Sequence, residues 1–519
     1  MPENDGVRIA EIVAALSYAA DLGLGQPMEH CLRQTVIGQR IAAHLGATQD
    51  ELEATYYLGL LSNAYCHADA AEQAKWFGDD IAMKGDGYDM LGMSSPAVAA
   101  MMLRKLVGHG ATKDRVRRLA ALPGLQRELV TWFNTHTSLG SQFAERVGLG
   151  EDVANAIFCA YEQWDGKGPR GIPGDRIPLA ARIVGVAGTM EVVARTRGVA
   201  RARDVAAKVG GALFDPDVIE VFIQHADSLL KDLDATATWD AVVDAEPRLA
   251  RRVSGAELDD VLEAMADLVD LKSPYLAGHS RGVANLAAEA ARIRGLPGSE
   301  TTTIRRAGLL HDLGRLGVSN SIWDKPGPLT DMERERAHLH PYLTDKMLSR
   351  IPALARSREI AARHHERLDG SGYPRGLTGA SLTPADRILA AADVFHAMTE
   401  PRPHRDPLST DQAADAVGRE VRARRLDADA VDAVLRAAGR RAPPRREGPA
   451  GLTGREVEVL QHLARGLANK EIARRLGLTP KTVSNHVEHI YSKLNVGSRA
   501  AATLVATQHG LMGNFTAQP

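Results

Sequence analysis

The chain has 519 residues, 25% of them charged and 44% hydrophobic, with a net charge of −2. One hydrophobic core does not grow to that length, so several domains are expected. The near-neutral balance excludes a chain drawn as a whole to nucleic acid or to a membrane surface, and any basic surface must be local.

Aromatic residues make up only 4% while alanine recurs throughout, which predicts an all-α protein of helices packed on helices. Three cysteines, Cys31, Cys66 and Cys159, all fall in the first third. An odd, sparse count fits a reducing cytoplasm better than a disulfide framework. The opening MPENDGVRIAEIVAALSYAADLG lacks a basic region ahead of an apolar core, so no secretory signal is read there. No apolar run approaches the ~20 residues of a membrane span. A cytoplasmic protein with no membrane partner is therefore expected. Residues 236–255 and the Arg/Pro-rich RRAPPRREGPAG at 440–451 read as connectors, leaving blocks 1–235, 256–439 and 452–519.

The first block shows few chemical landmarks by itself. His30 precedes an alanine-rich stretch, and GLLSN (59–63), HTSL (136–139), DGKGPRGI (165–172) and PLAARI follow. Cys31, Cys66, His67 and Cys159 lack the short paired spacing of zinc motifs.

The middle block opens with a capping-box pattern, Ser254 and Glu257, followed by Leu258, Val261, Leu262, Met265 and Val269 at helical spacing. The next helix aligns His279, Val283, Leu286, Ala290 and Ile293 on one stripe. A third runs TTTIRRAGLLHDLG, with Ile304, Ala307 and His311 on one face and Gly314 as its expected stop. A single histidine on an apolar face is more often a hydrogen-bonded core residue than a ligand. Here His279, His311, Asp312, His340, His364, His365 and Asp393 all lie in or beside helices of one small block. Burying so many imidazoles and carboxylates without partners would cost on the order of several kcal/mol each. A metal cluster resolves that cost, since imidazole and carboxylate suit first-row divalent ions and an Asp can bridge two of them. The block has no cysteine, which argues against a structural zinc site.

HDLG at 311–314, KPGPLT at 325–330, HP at 340–341, HHERLDGSGYP at 364–374 and AD at 392–393 stand in the order found in the HD-GYP phosphohydrolase family, which the whole of 256–439 resembles. The resemblance implies an all-helical hydrolase of cyclic di-GMP, or a related cyclic nucleotide, with iron or manganese at its centre. By the same resemblance Asp312 bridges the metals, His279, His311, His340, His364, His365 and Asp393 complete the ligands, and His311 with Asp312 forms the catalytic pair. Arg402 and Arg405 match phosphate-contacting positions, and Gly372, Tyr373 and Pro374 form the loop that would place Tyr373 near a base or a partner surface. Arg315 stands where the family commonly has lysine; it keeps the charge and can clamp phosphate but cannot deprotonate. Tyr275 stands where three-metal members carry a glutamate, so two divalent ions are expected.

Set against the middle block, the first repeats it. His30 lies 249 residues before His279, and GLLSN lies under GLLHD at that offset; HTSL and DGKGPRGI lie under HPYL and DGSGYPRGL at an offset of 204. The first block thus resembles an HD-GYP domain without its metals. Ser62 and Asn63 replace the His-Asp pair, Ala160 and Tyr161 the paired histidines, and Gly188 stands near the place of Asp393, while His30 and His136 persist. Dimerisation, regulation or ligand sensing are the roles left to it.

Residues 451–519 carry eight Lys and Arg against four Glu, a local excess of positive charge in a chain whose total is −2. Four short helical periods are read there. Thr453 and Glu456 make a capping box, and Thr479 precedes Pro480 as an N-cap with proline at the first helical position. LTGREVEVL…GLANKEIARRLGLTPKTVSNHV resembles the LuxR-type helix-turn-helix over its full length. In that family the second helix of the motif, here about 480–494, enters the major groove of double-stranded DNA. By resemblance Thr479, Lys481, Thr482, Asn485 and His486 face the DNA, and Lys470 and Lys493 contact phosphates. The expectation is a homodimeric regulator whose phosphodiesterase centre is coupled to DNA binding. The alternative is a catalytically weak HD-GYP module that senses a nucleotide and controls the same reader.

Overall fold

The computed structural model describes residues 6–87, 100–101, 103–104, 112–236, 239–248, 250–439 and 452–511. As composition predicts, the fold is all-α. The described strands form a single antiparallel pair, Val7–Arg8 against Arg252–Val253. The chain divides into two units, residues 1–258 and 259–519.

In the first unit, His30–His44 and Leu179–Arg197 pack with Val199–Val209 and Pro216–Leu229 around Ile37, Ile183, Met190, Val205 and Phe222. In the second unit, His279–Ile293, Gly298–Leu310, Pro384–Met398, Thr410–Arg422 and Ala428–Gly439 enclose Val283, Ile304, Leu389, Phe395, Val417 and Val434. The two sets coincide at the offset read from the sequence. His30–His44 and His279–Ile293 both hold 15 residues, Gln49–Leu61 and Gly298–Leu310 both hold 13, and each pair is displaced by 249 positions.

Segment 236–255 differs from its reading as a connector. Trp239–Asp244 buries Trp239, Val242 and Val243, and Arg252–Val253 pairs with the chain's first strand, so apolar burial fixes it to the first unit. Glu257 meets Arg251 at the start of Gly255–Asp270. The connector 440–451 lies outside the described residues.

The C-terminal helices Gly454–Ala464, Asn469–Leu476, Pro480–Leu494 and Arg499–Gln508 share a small core of Val459, Leu460, Leu463, Ile472, Val483, Ile490 and Ala502. The two N-caps form as predicted, with Thr453 accepting from Glu456 N and Thr479 from Thr482 N. Gly477, at φ 65°, turns the chain between the second and third of these helices.

Candidate metal centre

The seven predicted ligands come together, although they arise from five separate places in the second unit. His279 is the first residue of its helix, and His311 and Asp312 follow the end of Gly298–Leu310. His340 opens His340–Leu348, His364 and His365 lie just beyond Ala355–Ala361, and Asp393 is inside Pro384–Met398. Gly314 serves a purpose different from the helix stop it was expected to be. The helix already ends at Leu310, and a Cβ on Gly314 would lie 2.0 Å from the His340 carbonyl oxygen, so its absence lets the His-Asp turn press on the helix of His340.

Asp312 sits at the centre with its two oxygens divided. Oδ2 lies 3.7 Å from His279 Nε2 and 3.5 Å from His311 Nε2; Oδ1 lies 3.5 Å from His340 Nε2 and 3.8 Å from His364 Nε2. Asp393 repeats the division, Oδ1 at 3.4 Å from His279 Nε2 and Oδ2 at 3.8 Å from His365 Nδ1. Two candidate ligand clusters meet at Asp312, His279 with His311 and Asp312, and His340 with His364 and His365, and a third group, His279 with His396 and Glu400, adjoins them.

The imidazoles are oriented from behind. Nδ1 of His311, His340 and His364 donates to the carbonyl oxygens of Gly308, Ala337 and Ala361 at 2.7, 2.6 and 2.6 Å. A carbonyl can only accept, so each Nδ1 carries the proton and each Nε2 turns a lone pair inward. The Nε2 atoms of His340 and His364 lie 3.2 Å apart, and that of His311 is buried with no hydrogen-bond partner among the described residues. Burial, first, and neighbouring imidazoles lower His340 to about 3 and His364 to about 4, keeping both neutral as ligands. Burial would raise Asp312, but Arg315, His311 and His340 hold its carboxyl well below the ordinary range. The neutral nitrogens of His340 and His364 beside the ionised Asp312 fit a divalent cation.

The sequence reading missed Glu400. It accepts from His279 Nδ1 at 2.8 Å and meets His396 Nδ1 at 3.2 Å and Arg402 at 3.0 Å. Burial alone would lower His279, but Glu400 and Asp393 raise it to about 10. Because Glu400 faces the nitrogen turned away from Asp312, it positions His279 rather than extending the ligand pair. A second omission is buried Glu366, whose carboxylate accepts from Arg375 N and Leu377 N, both at 2.8 Å, and so holds the DGSGYP turn. Glu162 holds the matching turn of the first unit through Arg170 N at 2.7 Å and Ile172 N at 3.0 Å.

The predicted substrate contacts divide. Arg315 is at the centre, 3.1 Å from Asp312 Oδ2 and over the Trp323 ring, with its Nε buried and unpartnered among the described residues. Gly372 packs on the backbone at His365 to Arg367, where a Cβ would lie 2.4 Å from Arg367 N. Tyr373, joined to Pro374 by a cis peptide, stacks on His338 at 3.7 Å between ring centroids and lies 4.7 Å from the His365 ring. Its ring therefore walls the second ligand cluster. Arg402 donates to the Tyr275 carbonyl at 2.8 Å and to Glu400, and Arg405 clasps the Ala397 and Met398 carbonyls at 2.6 and 2.9 Å. The Arg405 guanidinium closes the C-terminal end of Pro384–Met398, and that of Arg402 ties the Tyr275 carbonyl to Glu400, so both are engaged within the chain.

In the C-terminal domain Lys470, Lys481 and Asn485 are exposed, and Thr482 and His486 are half-buried on the same helix-turn-helix. The Thr479 hydroxyl is taken up by the cap, and Lys493 binds Glu456 at 2.7 Å.

In the first unit the corresponding ground is filled differently. Tyr161 donates to the Ser62 carbonyl at 3.0 Å, Gln34 donates to Ser62 Oγ at 2.8 Å, and a Cβ on Gly188 would meet Gln34 Oε1 at 2.3 Å. These residues border a cavity of about 430 Å³. Among the described residues no helix is long and apolar enough to cross a membrane.

Residues 263–430 match the HD domain family, and 450–506 match the bacterial regulatory proteins of the luxR family. The chain is similar to the 3'3'-cGAMP-specific phosphodiesterase 3 of Vibrio cholerae, at 32% identity over 416 residues, covering 78% of this chain and 89% of that protein. The cyclic di-GMP phosphodiesterase response regulator RpfG of Xanthomonas campestris is 35% identical over 184 residues, 34% of this chain and 47% of the relative. The crystal structure of the V. cholerae cyclic GMP-AMP specific phosphodiesterase V-cGAP3 superposes with a TM-score of 0.57 at 27% identity, covering 84% of this chain and 99% of that one.

Proposed function

The chain belongs to the HD-GYP phosphodiesterases and carries a LuxR-type DNA-binding domain, and we propose that it hydrolyses a 3',3'-linked cyclic dinucleotide at a two-metal centre whose state is coupled to DNA binding. The observation that carries the two-metal reading is the division of the Asp312 oxygens between two histidine clusters. Iron or manganese suits the donors, which are imidazole and carboxylate throughout. Such a pair supplies Lewis-acid charge and an activated water.

The chain's own residues do the remaining work. Backbone carbonyls and Glu400 fix the imidazole tautomers, and Asp312 and Asp393 balance the cationic charge. The unpartnered Nε of Arg315 is a donor for a phosphate oxygen beside Asp312. Arg315 cannot serve as the acid for the leaving oxygen, so that proton comes from elsewhere. The relative that shares most of this chain is named for 3'3'-cGAMP and several shorter matches for cyclic di-GMP, which makes these the two substrates to compare.

The first unit reads as a metal-free copy of the same fold, supported by the matching helices and by the paired anchors Glu162 and Glu366. Coupling is supported by the reader's position within the second unit. Arg465, just after Gly454–Ala464, borders a cavity of about 350 Å³ together with Tyr275, Glu400 and Pro401. Glu400 orients His279, so a change at the centre is one residue removed from the reader. Binding as a dimer to paired half-sites fits the helix-turn-helix.

The test uses the intact metal-loaded protein. Incubation with each dinucleotide should yield linear or mononucleotide product, and operator affinity should differ with and without nucleotide. Bound but uncleaved nucleotide would make the centre a sensor, and equal operator affinities would remove the coupling.

A further inference from the structure

We propose that Cys66 in the first unit is a reactive thiol that captures soft carbon electrophiles, of the α,β-unsaturated carbonyl class, carried on a mainly apolar body. Cys66 lies in the turn after Gln49–Leu61, and His136, on Thr112–Arg146, lines the same cavity. His136 Nε2 in turn lies 3.0 Å from Asp69 Oδ2, in ion-pair contact though not aligned as a linear hydrogen bond. Tyr161 Oη lies 3.1 Å from the sulfur. Carboxylate and imidazole thus form a buried pair, and neither ring nitrogen of His136 has an aligned hydrogen-bond partner among the described residues.

Cys66 and His136 line the 430 Å³ cavity together with Trp132, Phe133, Tyr161 and Trp164. The aromatic walls suit an apolar body, and the thiol faces it from the polar side. The groups facing Cys66 are His136, Tyr161, Lys84 and Cys31, with Asp69 behind His136. Burial opposes ionisation of Cys66, but His136, Tyr161 and Lys84 bring the thiol below its ordinary value. Asp69 and Cys66 overcome burial to raise His136 to about 9. The other two cysteines are pushed up by burial, so the molecule carries its own unreactive controls.

The step balances without any further reagent. The thiolate forms a bond to the β-carbon, the C=C electron pair moves to the α-carbon, and the His136 imidazolium delivers the proton there. At the sequence offsets of the repeat, Cys66 corresponds to Arg315 and His136 to His340. The thiol pair therefore stands at positions that serve the metal centre in the other unit, although its chemistry does not depend on that correspondence.

The full-length protein would be treated with N-ethylmaleimide at pH 6.5 beside glutathione, and labelling followed by intact mass and peptide mapping. Cys66 should take one equivalent at least tenfold faster than glutathione, with Cys31 and Cys159 unlabelled over that time. Cys66→Ser should abolish the label. His136→Gln should slow it towards the glutathione rate and move the pH–rate midpoint upward, with Asp69→Asn as the second variant should His136→Gln fail to fold. N-phenylmaleimide should gain further over glutathione. Labelling of Cys66 no faster than glutathione, or unchanged in both variants, would overturn the reactive site; no gain with the phenyl reagent would overturn the apolar ligand class.

Discussion

Replacing Glu366 by glutamine exchanges one carboxylate oxygen for an amide nitrogen and weakens the anchor of the DGSGYP turn. The carboxylate accepts from Arg375 N and Leu377 N, both at 2.8 Å, in a buried setting. Bonds to a charged group contribute about 1.5–3 kcal/mol each, and a neutral one about 1 kcal/mol. Glutamine keeps one acceptor at neutral strength and turns an amide N–H₂ against the other backbone N–H. The net loss is about 2–5 kcal/mol, or about 4–20 °C in the transition of a unit this size. Glu162→Gln offers the matched perturbation, since its carboxylate grips Arg170 N and Ile172 N in the same way. Calorimetry of both variants should show comparable losses, each in its own unit. Only Glu366→Gln should also slow dinucleotide hydrolysis, because its turn carries Tyr373 against the His365 ring. Melting of Glu366→Gln within about 1 °C of the parent would refute the anchoring argument.

Three further outcomes follow from named contacts. Glu400→Gln leaves the ligands in place but weakens the brace on His279, so chelator competition should show metal affinity lowered by about 10- to 100-fold. Glu456 caps its helix and binds Lys493; burial would raise it, but Lys493 and Thr453 bring it down to about 2. A carboxylate depressed in the fold stabilises above its unfolded value and loses that as pH falls through the folded one. Melting of the C-terminal domain should accordingly drop between about pH 4.5 and pH 2, and Glu456→Ala should remove that dependence. Lys481→Ala, at an exposed position of the predicted recognition helix, should weaken DNA binding and reduce the salt slope by about one if the side chain meets a phosphate.

The convergence of the seven residues was legible because each sits at a motif whose residue types are costly to bury without purpose. The helix ends of the reader were legible because capping is local, and Thr453, Thr479 and Pro480 announce it within four residues. Contacts that span the chain gave no such signal. Glu400 reads as a loop acid beside Arg402 until folding sets it behind His279, and Glu366 and Glu162 read as surface acids next to a polar turn. Arg402 and Arg405 look like free phosphate clamps, but the backbone pairing of those two residues turns both side chains onto carbonyls. Cys66 and His136 are 70 positions apart, beyond any spacing rule, so only the tertiary fold brings them together. Segment 236–255 interrupts the helical periodicity and so reads as a connector, yet Trp239, Val242 and Val243 bury it.

The central claim is that Asp312 joins two metal-binding halves, and metal counting in the anaerobically purified protein beside Asp312→Ala tests it most directly. The account predicts about two iron or manganese ions per chain and cleavage of a cyclic dinucleotide in the parent, with at most one ion and no cleavage in the variant. Equal metal content in both proteins, or none in the parent, would contradict the assignment of the seven residues as a bridged two-metal centre.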